Sequence, residues 1–198
     1  QECRSLRQAA RVLGIDPSSS GIDMAEKRYK QRNLQFQCVD KLGPMGSGQY
    51  DLVTCFEVLE HIDEWRLFAE ELVMTSRRYL LLSFPTGHMR DFERNIGHYR
   101  NFRIGEIEQF MQIHGCRSVR VNYAGFPFYS PLFRNLYNVA GPHLQKYATG
   151  RFFWGKRAVS RLIYVLFRYF STRTRMGDQF CGLFEKCERN KTAPKATG

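Results

Sequence analysis

The sequence predicts an α/β protein: a mostly parallel sheet with helices on both faces. Three observations predict it. Short apolar runs of strand length alternate with amphipathic stretches at helical spacing, the pattern of strand–crossover–strand units. Acids and prolines gather where those strands stop, at Asp16-Pro17, Asp40, Glu57 and Pro85. In parallel sheets the carboxyl ends of the strands are where ligands bind. Finally, the chain has 198 residues, 43% hydrophobic and 25% charged, with a mean hydropathy of -0.44. That length suits one domain, and the composition excludes disordered, collagen-like and disulfide mini-protein classes. No apolar run reaches the roughly 18–20 residues that span a bilayer.

Each element has its own justification. Cys3–Arg11 reads as a helix with Leu6, Ala9 and Ala10 on one side. Arg11–Ile15 is a short apolar strand stopped by Asp16-Pro17, and Ser18, Ser19 and Ser20 supply caps for a helix from Gly21 to Arg32. Leu34–Val39 alternates apolar and polar residues, as a strand ending at Asp40 does. Lys41–Gln49, with three glycines and a proline, is a loop. Tyr50–Phe56 is a buried strand, Glu57–Ile62 a loop or short helix, and Trp65–Thr75 an amphipathic helix. Tyr79–Phe84 is a strand stopped by Pro85, and Thr86–Phe102 is a polar loop. Ile104–His114 is a helix closed by Gly115, followed by a strand over Cys116–Ala124. An insert covers Phe126–Met176, with a helix over Lys156–Phe170; Gln179–Cys187 is the last strand. Residues 1–190 read as one domain and 191–198 as a flexible tail.

Charge is unevenly spread. The net charge is +11, yet between Arg117 and Met176 there are 11 Lys or Arg and no Asp or Glu, which leaves 19 of each sign elsewhere. The same stretch holds half of the aromatic residues. Such a segment favours phosphate, anionic lipid or acidic substrates. The six cysteines form no C-x-x-C pair and lie mostly in apolar runs, as free thiols of a reducing, cytoplasmic compartment do.

The strand ends carry the chemistry. Asp16, within VLGIDPSSSGIDMAEKRY, can accept two hydrogen bonds from a ribose diol or cap the next helix. Asp23 has a similar G-I-D triplet but falls inside the helical run. Asp40 ends LQFQCVD and can accept from an exocyclic amine or serve as a turn residue. In YDLVTCFEVLEHIDE, Glu57, Glu60 and His61 share one face if Glu57 opens a helical turn. They could hold a divalent cation, His61 could act as a general base, or the acids could cap the turn while His61 packs on the sheet.

The string GIDPS, the strand ending at Asp40, DLVTCFEVLEHI and LLLSFP, taken in register over residues 3–125, resembles class I S-adenosylmethionine-dependent methyltransferases. The resemblance implies a Rossmann-like three-layer sandwich whose last strand is antiparallel. It implies that Asp16 and Pro17 hold the cofactor ribose, that Asp40 and Lys41 lie near the adenine, and that Phe56 sits near the methionine end. TCFEVLEHI is also similar to ubiquinone-pathway O-methyltransferases, in which the residues matching Glu57, Glu60 and His61 would be metal ligands. The family's first strand and Gly-rich loop, which brings backbone N–H groups to the cofactor, have no counterpart in this sequence, so the expectation is of a chain that begins after them.

The implied activity is methyl transfer from S-adenosylmethionine to an oxygen or nitrogen of a small-molecule, lipid-linked or glycan acceptor. His61 and His98 are the candidates for taking the acceptor proton, and Tyr99 and Arg100 for shaping the acceptor pocket. Arg157, Arg161, Tyr164 and Arg168 form one stripe opposite Val159, Leu162, Ile163 and Leu166. That pattern suits a helix in a membrane interface, peripheral to the inner face, or a cover packed on the domain with its arginines outward. Methylation of RNA is the alternative function, and a truncated, non-catalytic binding module a further one.

Overall fold

The computed structural model describes residues 11–39, 46–140, 154–170 and 176–187. They belong to two compact units, Gln1–Met45 and Gly46–Gly198. The predicted helix Cys3–Arg11, the expected site residues Asp40 and Lys41, and the tail lie outside the described residues.

The first unit contains strands β1 (Val12–Asp16) and β2 (Leu34–Cys38), paired in parallel from Val12–Leu34 to Asp16–Cys38. Helix α1 (Ser19–Arg28) connects them. Ser18 is its N-cap and accepts the Gly21 N–H at 3.1 Å, while Lys27 and Arg28 complement the dipole of its last turn. Asp16 is therefore not the cap that its position before the helix allows.

The second unit contains β3 (Tyr50–Phe56), α2 (Trp65–Thr75), β4 (Ser76–Pro85), α3 (Asp91–Asn95), α4 (Glu106–Ile113), β5 (Cys116–Ala124) and β6 (Gln179–Lys186). Its sheet runs β3-β4-β6-β5. β3 and β4 are parallel, and β6 is antiparallel to both of its neighbours. The last strand is thus antiparallel, as the resemblance implies. Helix α2 buries Trp65, Ala69, Leu72 and Val73, one stripe at helical spacing. In the core Phe84 stacks on Phe180 at 4.5 Å and Trp65 meets Phe102 edge-on at 5.1 Å. Each such aromatic side chain contributes roughly 1.5–3 kcal/mol by burial.

Several boundaries differ from the sequence pattern: α1 spans Ser19–Arg28 where the pattern predicts Gly21–Arg32, and the helix in the insert spans Trp154–Val165 where it predicts Lys156–Phe170. β4 begins at Ser76, ahead of its apolar run, because Ser76 already pairs with Tyr50 and no turn residue separates it from α2. Lys186 Nζ donates to the carbonyls of Val73 and Ser76, which satisfies the end of α2. Within the polar stretch Thr86–Phe102 lies α3, opened by the Glu93 carboxylate accepting the Arg90 N–H at 2.7 Å.

The insert contains a kinked turn Phe128–Phe133, a helix α5 over residues 134–140, α6 (Trp154–Val165) and a turn Leu166–Phe170 that lies beside Phe128–Phe133. No described helix is long and apolar enough to cross a membrane. Gly177, just before β6, admits no side chain: a Cβ there would lie 1.9 Å from the Ala124 carbonyl oxygen. Its N–H donates to Tyr123 O at 3.1 Å. Of the cysteines, Cys55 and Cys116 are buried free thiols, whereas Cys38 and Cys187 are exposed, unlike the burial that apolar neighbours suggest.

Candidate active site

In the first unit the candidate cofactor residue is Asp16. It ends β1, is exposed, and one carboxylate oxygen accepts the Ser18 N–H at 2.8 Å. That bond fixes the carboxylate's direction while leaving acceptor capacity for a ribose hydroxyl. Pro17, next to it, is exposed and stops the strand.

In the second unit the chemistry lies beyond the end of β3. Phe56, half-buried, is the last strand residue. Glu57 then takes a left-handed conformation, φ 55°, unusual for a residue with a side chain. It therefore does not open a helical turn. Its carboxylate accepts from Ser83 Oγ at 2.7 Å and Gln179 Nε2 at 2.8 Å, and its N–H donates to Ser83 O. A short 3-10 turn, Leu59–His61, follows.

That turn brings Glu60 and His61 to His98, which arrives from the loop after α3. One donor atom from each of the three lies within 4.8 Å of the others. The two imidazoles meet edge-on at 4.6 Å between centroids. His61 Nδ1 lies 3.0 Å from the Gly97 carbonyl oxygen. A carbonyl only accepts, so Nδ1 carries a proton, and in the neutral ring the lone pair lies on Nε2. His98 Nδ1 is buried without a hydrogen bond among the described residues. Burial, and then the neighbouring His61, push the His98 pKa below its ordinary value.

Glu60 is fully buried, and neither carboxylate oxygen makes a hydrogen bond among the described residues. Burial raises its pKa to about 8, its own backbone N–H offsets this in part, and the charges of Glu57 and Glu93 add to the rise. The carboxyl is therefore mainly protonated at neutral pH. Glu60, His61 and His98 could hold a metal with two nitrogens and one oxygen. That set suits a transition metal better than magnesium or calcium, which prefer oxygen. Glu57, engaged with Ser83 and Gln179, does not join it, so the trio of Glu57, Glu60 and His61 is not the one that converges.

The two residues expected at the acceptor pocket have different surroundings. Tyr99 is exposed, and its N–H donates to Glu60 O at 2.8 Å. Arg100 donates to the Asp63 carbonyl at 2.8 Å and carboxylate at 3.2 Å, so part of its guanidinium is already engaged.

Beside this cluster stands a network that the sequence does not announce. Arg134, from α5, is 1% exposed and pairs with Glu93, with Asp178 at 3.2 Å, and with Thr86 O at 3.2 Å. Arg90 donates to Asn135 Oδ1 at 2.8 Å and to His88 O at 3.2 Å. Asn101 Nδ2 donates to Glu93 at 3.0 Å. Burial works against ionisation of Glu93, but the Arg90 N–H and Arg134 outweigh it and hold its pKa below the ordinary carboxyl value. The partners of Arg134 are some 40 residues away in sequence, and no local pattern foretells them. The sequence signal available is the crowding of Arg90, Asp91, Glu93 and Arg94 after the strand that ends at Pro85.

A family model described as a methyltransferase domain matches residues 1–77. The ubiquinone biosynthesis O-methyltransferase of Coxiella burnetii is 34% identical over 61 residues, which span 29% of this chain and 26% of that protein. The aligned part is thus about a quarter of the length of that relative. Solved structures agree over much more of the chain. An S-adenosylmethionine-dependent methyltransferase from Mesorhizobium loti superposes with a TM-score of 0.57 at 13% identity, covering 93% of this chain and 85% of its own. The magnesium protoporphyrin IX methyltransferase of Synechocystis, solved with S-adenosylhomocysteine, gives a TM-score of 0.51 at 23% identity over 63% of each chain. At these identities the structures establish the fold. Residues 1–77 are thus similar to a methyltransferase domain, and the described fold is the one those methyltransferase structures share.

Proposed function

We propose that the chain binds S-adenosylmethionine and transfers its methyl group to an oxygen or nitrogen of a small-molecule, lipid-linked or glycan acceptor. The observation that carries this reading is the convergence of His61 and His98 on the protonated carboxyl of Glu60 beyond the end of β3. The cofactor supplies a methyl group on a sulfonium, which an acceptor lone pair displaces in line. The chain must orient both partners and remove the acceptor's proton as the new bond forms. Asp16 accepts the ribose hydroxyls, with Pro17 beside it; Asp40 and Lys41 serve the adenine, and Phe56 packs at the methionine end. His61, with Nδ1–H held by Gly97 O, offers Nε2 as the base. His98 is neutral at pH 7 and is the second candidate base. Tyr99 and Arg100 border the acceptor. The O-methyltransferase named among the relatives supports oxygen as the acceptor atom. Of the two carboxylates and imidazole expected for a divalent cation, Glu57 is already bonded to Ser83 and Gln179.

Calorimetric titration of S-adenosylhomocysteine into the 198-residue chain tests the reading. We expect saturable binding that Asp16→Ala weakens about ten-fold, the loss of a hydrogen bond to a charged group. No saturable binding by the unaltered chain would overturn it.

A further inference from the structure

The insert leaves apolar side chains facing outward for a stated reason. On α5, Arg134 points inward and is pinned by Glu93 and Asp178, and Asn138 Oδ1 on the same side accepts the Phe92 N–H at 3.2 Å. A helix so pinned cannot roll. Leu132, Leu136 and Val139, at offsets of four and three, then lie on the opposite side. They are exposed: Leu136 at 60% and Val139 at 82%.

The second element repeats the pattern. None of the described side chains of α6 or of the turn Leu166–Phe170 is buried. Val159, Leu162 at 59% and Phe170 at 63% are open to solvent. The stripe of Arg157, Arg161 and Arg168 is exposed too and forms no ion pair with any described acid. Ile163, Val165 and Leu166 are half-buried, so the segment rests part of its apolar side on the protein and leaves Val159, Leu162 and Phe170 open. The Leu166–Phe170 turn lies beside Phe128–Phe133, so the exposed Phe170 and Leu132 belong to adjoining segments.

Charge decides what fits this surface. From Phe126 to Met176 there are nine Lys or Arg and no Asp or Glu. Aliphatic side chains gain from leaving water, and arginines beside them gain from anions; an anionic bilayer surface offers both. Nucleic acid would satisfy the arginines but gives Leu132, Leu136, Val139 and Leu162 nothing apolar to enter. A second copy of the chain would bring the same positive charge against itself. We infer that α5, α6 and the turn Leu166–Phe170 form a docking face for the surface of an anionic lipid bilayer, on which the protein lies peripherally.

Co-sedimentation of the full chain with vesicles tests this, without cofactor, so its outcome is separate from that of the methyl-transfer reading. We expect binding to phosphatidylcholine vesicles that contain phosphatidylglycerol and little to phosphatidylcholine alone. Replacing Arg157, Arg161 and Arg168 by Gln should lower partitioning on the order of a hundred-fold. Leu136→Asp with Leu162→Asp should reduce it as well while leaving the circular dichroism unchanged, since both positions are exposed. Failure to bind either vesicle, or binding that both variants retain, would overturn the inference. So would a dimer by light scattering that the Asp variant dissociates, or binding to a single-stranded RNA homopolymer that the Gln variant removes, if vesicle binding is absent.

Discussion

Two glutamates of the second unit are equally hidden and electrically opposite. Glu93 is 2% exposed and ionised below the usual carboxyl range; Glu60 is 0% exposed and protonated up to about pH 8. Burial penalises the charged form of both. What separates them is company: Glu93 receives the Arg90 N–H, Asn101 and Arg134, while the Glu60 carboxyl receives no hydrogen bond from any other described residue. Burial alone therefore does not set the charge of an interior acid; the donors supplied with it do. The paired acid holds the insert in place. The unpaired one stands with two imidazoles, where an uncharged carboxyl leaves room for a proton to move.

The largest effect should come from breaking the paired side. Arg134→Ala would leave Glu93 buried without its cation and should lower unfolding stability by about 3–5 kcal/mol in urea titration. A loss within the range of an exposed ion pair, below about 1 kcal/mol, would mean that water already reaches this network.

The unpaired side should appear as a slope with pH. The Glu60 pKa is raised in the folded state, so its contribution is fully present below the unfolded value near 4.5 and is lost as pH rises toward about 8. Over that window the wild type should lose stability against Glu60→Gln, which cannot ionise, by about 1.4 kcal/mol per pH unit. Parallel stability curves for the two proteins would contradict the assignment. Glu93 tilts the other way: its contribution is present above the unfolded carboxyl pKa and is lost as pH falls through its depressed folded value.

The smallest effect is at Asn101, one of several donors to Glu93. Asn101→Ala should cost about 1 kcal/mol and move the acid-unfolding midpoint upward, toward the behaviour of a less well-paired carboxyl.

Much of the architecture was legible in the sequence. The strands Tyr50–Phe56 and Cys116–Ala124 and the helix Trp65–Thr75 match their residue patterns end to end, and the helix does so because it buries one stripe, Trp65, Ala69, Leu72 and Val73, at its own period. The helix Asp91–Asn95 was not legible, since five residues are too few to show a period. The site was legible as residue types but not as partners. Glu57, Glu60 and His61 are adjacent in sequence, yet the left-handed backbone at Glu57 sends its carboxylate to Ser83 and Gln179 instead. His98 joins Glu60 and His61 only through a loop closure that no short motif records. Arg134 counted as one more charge of a basic segment, and nothing local marks it as the arginine whose partners lie inside.

That network has a weak point made of a missing atom. Asp178, which anchors Arg134, follows directly on Gly177, where the space beside the Ala124 carbonyl is too small for even one methyl group. Any side chain at 177 must separate β5 from β6 or shift Asp178 off its arginine. A residue with no side chain thus holds the place of the acid beside it.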